Sequence, residues 1–127
     1  NPLVCWGDGS AIRDISYSDD IAKGMIHIVE NKISEPINLG TGNGVTVKEV
    51  VQAVLYAYRI HCGKHVDVEW DTSKSTGDKK RLMDVSRAKS YGFECTTPLA
   101  EGVLNTMKWY LENQDIITKR YDVFAKG

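Results

Sequence analysis

Thr46-Val47-Lys48-Glu49 is the segment that most narrows what this chain can become. A threonine with a glutamate three positions on lets each side chain accept a backbone N–H at the other's position, so a helix begins there. Behind it Val47, Val50, Val51, Val54, Leu55 and Tyr58 recur on one face of a helical repeat. Ahead of it Gly40-Thr41-Gly42-Asn43-Gly44 reads as a tight turn, and Ile37-Asn38-Leu39 as a short buried strand. A strand, a glycine turn and a capped amphipathic helix form a mixed unit, so purely helical and purely β chains are excluded.

The flanking sequence repeats the alternation. Ser18 is a candidate N-cap with Asp19 and Asp20 in the first turn, where negative charge suits the helix dipole. Ile21, Met25, Ile28 and Val29 then predict a helix from about Asp19 to Asn31. Val66-Asp67-Val68-Glu69-Trp70 alternates as a strand does, and Asp71 to Lys80 is a polar loop. Leu82-Met83-Asp84 reads as a brief extended segment, and Ser86 as the cap of a short helix closed by Gly92. Thr97-Pro98 opens a longer helix, with Leu99, Val103, Met107, Tyr110 and Leu111 as its stripe to about Asn113. From Asp115 onward the pattern gives no more than an extra helical turn. The fold class expected is α/β: one small mixed domain over residues 1–127, with short strands and about four helices.

Composition limits the partners. At 127 residues the chain fits one domain, and its 42% hydrophobic and 26% charged residues are ordinary for a globular protein. A net charge of −1 gives no broad basic field for nucleic acid or an anionic membrane, so an anionic ligand needs a local pocket. The apolar runs are far too short for a membrane span, and no signal peptide opens the chain. A reducing, cytoplasmic setting is the expectation. Cys5, Cys62 and Cys95 are widely spaced and form no Cys-x-x-Cys pair, which argues against a disulfide framework or structural zinc. His61, Cys62 and His65 cluster locally, but no second ligand pair completes a tetrahedral site, so no metal is expected.

The chemistry that the residues suggest lies near the start. Trp6-Gly7-Asp8-Gly9-Ser10-Ala11-Ile12-Arg13-Asp14 sets a glycine-punctuated turn between an indole and an arginine. A guanidinium fork matches phosphate oxygens and an indole face stacks on a planar base, which together suit a nucleotide-bearing ligand. The alternative, a strand and turn with a structural arginine, stays open at this point. Gly40-x-Gly42-x-Gly44 misses the dinucleotide fingerprint, since Val rather than Gly stands at position 45 and there is no clear βαβ unit with an acidic residue at the end of its next strand, so it reads as a turn. The amides near Thr46 offer an anion a weak site at most. Walker, His-Glu-x-x-His and Gly-x-Ser-x-Gly patterns are missing, and no tyrosine has a lysine four residues on. The Lys79-Lys80-Arg81 run reads as a solvated turn.

In order, the chain carries Trp6-Gly7-x-Gly9-x-x-x-Arg13, Tyr17-Ser18-Asp19-Asp20-Ile21-Ala22 and Ile37-Asn38-Leu39-Gly40-Thr41-Gly42. Trp70-Asp71-x-Ser73-Lys74-x-x-Gly77, Leu82-Met83-Asp84-Val85-Ser86-Arg87-Ala88 and Trp109-Tyr110-x-Glu112-Asn113 follow. This series, over about residues 3 to 116, closely resembles the C-terminal substrate-binding portion of extended short-chain dehydrogenases, the NAD-dependent sugar-nucleotide epimerase/dehydratase family. Within it the resemblance is nearest to the epimerase/reductases of GDP-sugars.

The resemblance implies a domain that clasps the nucleotide half of a GDP-sugar or other nucleotide-sugar. By position, Arg13 and Lys74 would neutralise the diphosphate and Trp6 would lie against the base; Asn38 and Thr41 would brace the turn. NADP and the catalytic Ser-Tyr-Lys set belong to the family's N-terminal Rossmann domain, which this stretch lacks. It therefore implies no catalytic, cofactor-binding or metal residue here, no cofactor in this chain, and no hydride transfer by the chain alone. A separate Rossmann subunit or self-association would be its partner. The alternative is a stand-alone, non-catalytic binding or protein-interaction module that keeps the fold. The family's Lys-Pro-x-Gly reads Lys74-Ser75-Thr76-Gly77, which loses a fixed φ, and Ile15-Ser16 places a hydroxyl where an apolar residue is usual.

Overall fold

The computed structural model describes residues 1–117. Its elements run β1 (Leu3–Trp6), β2 (Ile12–Asp14), α1 (Ser18–Glu30), β3 (Gly44–Thr46) and α2 (Val47–Cys62). They continue as β4 (Val68–Asp71), β5 (Lys80–Arg81), α3 (Ser86–Ser90), α4 (Leu99–Glu112) and α5 (Gln114–Ile117). This is the expected small α/β domain; the described residues hold five helices, the four expected and α5, which is the extra turn the sequence allows after Asn113. The end of the chain, where the sequence shows no pattern, lies outside the described residues from 118 on.

Two small sheets carry the strands. In one, β1 pairs in parallel with β4, Trp6 opposite Asp71. In the other, β2 is central, antiparallel to β3 and parallel to β5, with Arg13 opposite Val45 on one side and Arg81 on the other. β5 falls inside the basic run that reads as a solvated turn. Its ladder to β2 comes from a neighbour 68 positions earlier (Lys80 opposite Ile12, Arg81 opposite Arg13), which no local pattern signals.

The capping box forms as the sequence requires. Thr46 Oγ1 accepts the Glu49 N–H at 3.1 Å and Glu49 Oε2 accepts the Thr46 N–H at 2.7 Å. Gly63, left-handed at φ +65°, ends α2. The stripe of α2 packs against α4. Asp20 is not merely a dipole-complementing charge: it is buried, and its Oδ2 accepts the Thr97 N–H at 2.9 Å, tying α1 to the entry of α4. Gly24 lets α1 close on Leu39 and Phe93, where a Cβ would lie 2.8 to 2.9 Å from their side chains.

The strand expected at Ile37-Asn38-Leu39 does not form. No neighbouring strand offers this stretch a ladder, so side chains fix it instead. Asn38 Nδ2 donates to the Asp84 carbonyl at 3.1 Å, and Leu39 packs on Gly24. Leu82-Met83-Asp84, read as a brief extended segment, continues from β5 without a ladder of its own; the pairing stops at Arg81.

The core is shallow. Among the described residues the buried apolar side chains are Ala11, Ala57 and Ala88, and no large side chain is fully buried. Met25, Ile26, Val29, Tyr56, Ile60 and Trp109 stay exposed.

Candidate functional site

The β4–β5 loop, residues 72–79, organises the candidate site. Two glycines of the Trp6–Arg13 segment seat it and the strand that leads into it. Gly7, at φ +83°, lies so close to Thr76 that a Cβ would meet its Cγ2 at 2.7 Å, and Gly9, at φ +75°, would meet the Trp70 ring at 2.6 Å. Only glycine supplies both the positive φ and the missing Cβ here. Asp71 starts the loop: Ser73 N–H donates to its Oδ1 at 3.1 Å, and Lys74 N–H donates to its carbonyl at 3.2 Å.

That turn carries Lys74 back over β1. Its Nζ stands 5.8 Å from the centroid of the Trp6 ring, a cation–π distance. Trp6 itself is 72% exposed, so the indole face is a platform rather than a core group. Arg13 meets the other end of the same loop. Its Nη1 donates to the Ile12 and Asp78 carbonyls, both at 2.8 Å, while Nη2 lies 3.7 Å from where a Gly77 Cβ would stand. The structure thus brings Trp6 and Lys74 together and places Arg13 at the far end of the loop that bears Lys74.

Asp14 locks the glycine turn to this platform. Its Oδ1 accepts from Thr41 N and Oγ1 at 2.9 and 2.6 Å, and Oδ2 from Gly42 N and Met83 N at 2.9 and 3.4 Å. Burial alone would push the carboxyl up, but the bonds from Thr41, Gly42 and Met83 outweigh it and hold it below the usual carboxylate range. The same bonds test the glycine turn as a dinucleotide cradle, and it does not fit. The amides of Thr41 and Gly42 that would face a pyrophosphate are occupied by Asp14, and a Cβ at Gly44 would strike Ile12 at 2.5 Å. The start of α2 is equally closed. Val47 N–H donates to the Ala11 carbonyl, Lys48 N–H to Gly9 and Glu49 N–H to Thr46, so the weak anion site near Thr46 is corrected to a structural joint.

Sequence reasoning passed over Asp14, Asp78 and Arg81. Asp14 acts across 27 residues and has no local signature, while a two-residue strand is too short to show a period. Arg13, Asp14, Arg81, Leu82 and Met83 line a cleft of about 210 Å³. A larger groove of about 780 Å³ lies elsewhere, between the start of α1, α2 and α4; Ile15, Tyr17, Val54, Tyr58, Val103 and Met107 make it apolar. Ser16, the hydroxyl at an ordinarily apolar position, sits on its wall. Trp6, Arg13 and Lys74 do not reach that groove. Among the described residues no group of metal-ligating side chains converges, and His65 pairs with Asp67 instead. No described helix is long and apolar enough to cross a membrane.

Residues 1–40 match the NAD dependent epimerase/dehydratase family. The chain is 38% identical over 112 residues to a probable GDP-L-fucose synthase 1 of Oryza sativa subsp. japonica, covering 87% of this chain and 33% of that protein. It superposes on a GDP-6-OMe-4-keto-L-xylo-heptose reductase from C. jejuni with a TM-score of 0.73 and 28% identity, over 87% of this chain and 34% of that one. A UDP-N-acetylglucosamine 4-epimerase from Methanobrevibacter ruminantium M1, solved with UDP-N-acetylmuramic acid, gives a TM-score of 0.73 at 25% identity, over 88% and 35%. The chain spans about a third of the length of the curated relatives it matches.

Proposed function

We propose that this chain, a relative over about a third of their length of GDP-L-fucose synthases in the NAD-dependent epimerase/dehydratase family, is the portion that holds the nucleotide half of a GDP-sugar. The observation that carries the reading is the pairing of Lys74 with the Trp6 indole at one end of the 72–79 loop, with Arg13 anchoring the other. An exposed indole offers a face for a planar base. The two cations, at opposite ends of one loop, suit the spread charge of a diphosphate, and each gains strength once the ligand excludes water. Asp14 and the glycine turn it binds keep β2 and its arginine in place. NADP and the groups that transfer hydride come from polypeptide outside these residues, encoded with this stretch or as a separate Rossmann subunit. Residues 1–127 act as one substrate-binding domain.

Calorimetric titration at low salt with GDP, UDP and a free sugar tests this. Saturable GDP binding, lost in Arg13→Ala and in Lys74→Ala and weaker for UDP, is the expected result. Absence of nucleotide binding would overturn it. Incubated with NADPH and GDP-4-keto-6-deoxy-mannose, the chain alone is expected to show no oxidation of NADPH; turnover would overturn the division of labour.

A second reading, a non-catalytic interaction module, is favoured by a different observation. The apolar groove between α1, α2 and α4 and the exposed apolar side chains of α1 give a partner two faces to dock on.

A further inference from the structure

Arg81 has no place in the reading above, yet the fold sets it beside Arg13. β2 and β5 run parallel with Arg13 opposite Arg81, so the two side chains leave the same face of the sheet. Both line the 210 Å³ cleft, whose remaining walls are Asp14, Leu82 and Met83. Asp14 adds a negative charge there, but Thr41, Gly42 and Met83 already donate to both of its oxygens. Lys80 precedes Arg81 on β5 and faces the other way by the alternation of a strand. Asp78 joins the two arginines: its carbonyl accepts from Arg13, and its carboxylate accepts from Arg81 Nε and Nη2.

We propose that Arg81 is a second arginine of the anion site, that Arg13 and Arg81 grip a diphosphate from adjacent strands, and that the Asp78 carboxylate is its internal competitor. This rests on the nucleotide-sugar reading and refines it. The Arg81–Asp78 pair is 72% and 56% exposed, and an ion pair so open to water is weak and readily exchanged. A diphosphate carries more charge than one carboxylate and spans two guanidinium groups at once, so it outcompetes Asp78 for Arg81. Asp78 keeps its backbone carbonyl on Arg13 throughout, which leaves that arginine positioned while its neighbour changes partner.

The test is titration of the 127-residue chain and its Arg81→Gln, Asp78→Asn and Lys80→Gln variants with inorganic pyrophosphate and with GDP. Thermal melts of each variant check that the fold is kept. Arg81→Gln is expected to weaken both ligands by about ten-fold, the loss of one charge-assisted contact. Asp78→Asn should tighten pyrophosphate several-fold, and Lys80→Gln should leave it unchanged. Wild-type affinity in Arg81→Gln would overturn the inference while the nucleotide reading stood. Pyrophosphate binding that needs Arg81, without any GDP binding, would keep the arginine pair and overturn the nucleotide reading. Failure of the wild-type chain to bind either ligand would overturn both.

Discussion

Asp14 accepts from the backbone N–H groups of Thr41, Gly42 and Met83 and from the Thr41 hydroxyl. An asparagine can replace one oxygen but brings an amine against the other's donors. Asp14→Asn is therefore expected to cost about 2 kcal/mol in urea unfolding, the cost of leaving partly buried donors unpaired. The pH dependence has a definite sign. The folded carboxyl titrates below its unfolded counterpart, so its contribution is fully present above the usual carboxylate pKa of about 3.9 and is lost as pH falls through the lower folded value. An acid titration should show that limb in the wild type and flatten it in Asp14→Asn; equal acid limbs would refute the account. Cys95 carries the opposite shift. Burial pushes its thiol up, and the charges of Asp20 and Asp14 push it further, so it should alkylate more slowly at neutral pH than an ordinary exposed thiol, read by peptide mass spectrometry. At this scale the sequence shows which residue types matter and hides which atoms they meet. Trp6, Arg13 and Lys74 stand out because indole, guanidinium and ammonium suggest a ligand before any contact is known. Asp14 does not, because its partners lie 27 to 69 positions away.

Local chemistry decides the elements whose signals are self-contained. The box at Thr46 and Glu49 forms and α2 follows it to Cys62, since donor, acceptor and apolar stripe lie within one stretch of chain. Thr46→Ala removes an acceptor at the helix start and should lower stability by about 1 kcal/mol, while Thr46→Ser should retain most of it. Thermal melts followed by circular dichroism distinguish the two, and equal melting temperatures for alanine and wild type would contradict a working cap. Elements that depend on distant partners behave differently. Ile37-Asn38-Leu39 has the composition of a strand but finds no neighbour, while Lys80-Arg81 has the composition of a turn and becomes a strand because β2 lies alongside. Both departures have one physical origin: a strand exists through its ladder, and the ladder is tertiary.

For the molecule as a whole, the balance of buried and exposed apolar surface is the governing fact. α1 has two faces. Gly24 meets Leu39 and Phe93 on the inner one. On the outer one Ala22, Met25, Ile26 and Val29 recur at helical spacing with nothing over them, Val29 being 76% exposed. The groove between α1, α2 and α4 adds a second apolar surface on which Tyr58, Met107 and Tyr110 meet. A domain that buries little beyond alanines gains little of the roughly 1.5–3 kcal/mol that each large buried side chain contributes. Covering either face would recover part of it. The relatives run to about three times this length, and a second copy of this chain is a cover that the isolated chain itself can supply. The isolated chain is therefore expected to self-associate as its concentration rises, in light scattering that follows mass across a dilution series. Met25→Lys combined with Val29→Lys places charge on the outer face of α1, where both side chains are solvated in a monomer, and should shift the series towards the monomer without lowering the melting temperature of the dilute protein. A wild-type chain monomeric throughout would show that the exposed faces are tolerated. The shallow core would then be sustained from within, by the sheet ladders, the α2–α4 contact and joints such as those of Asp20 and Asp14.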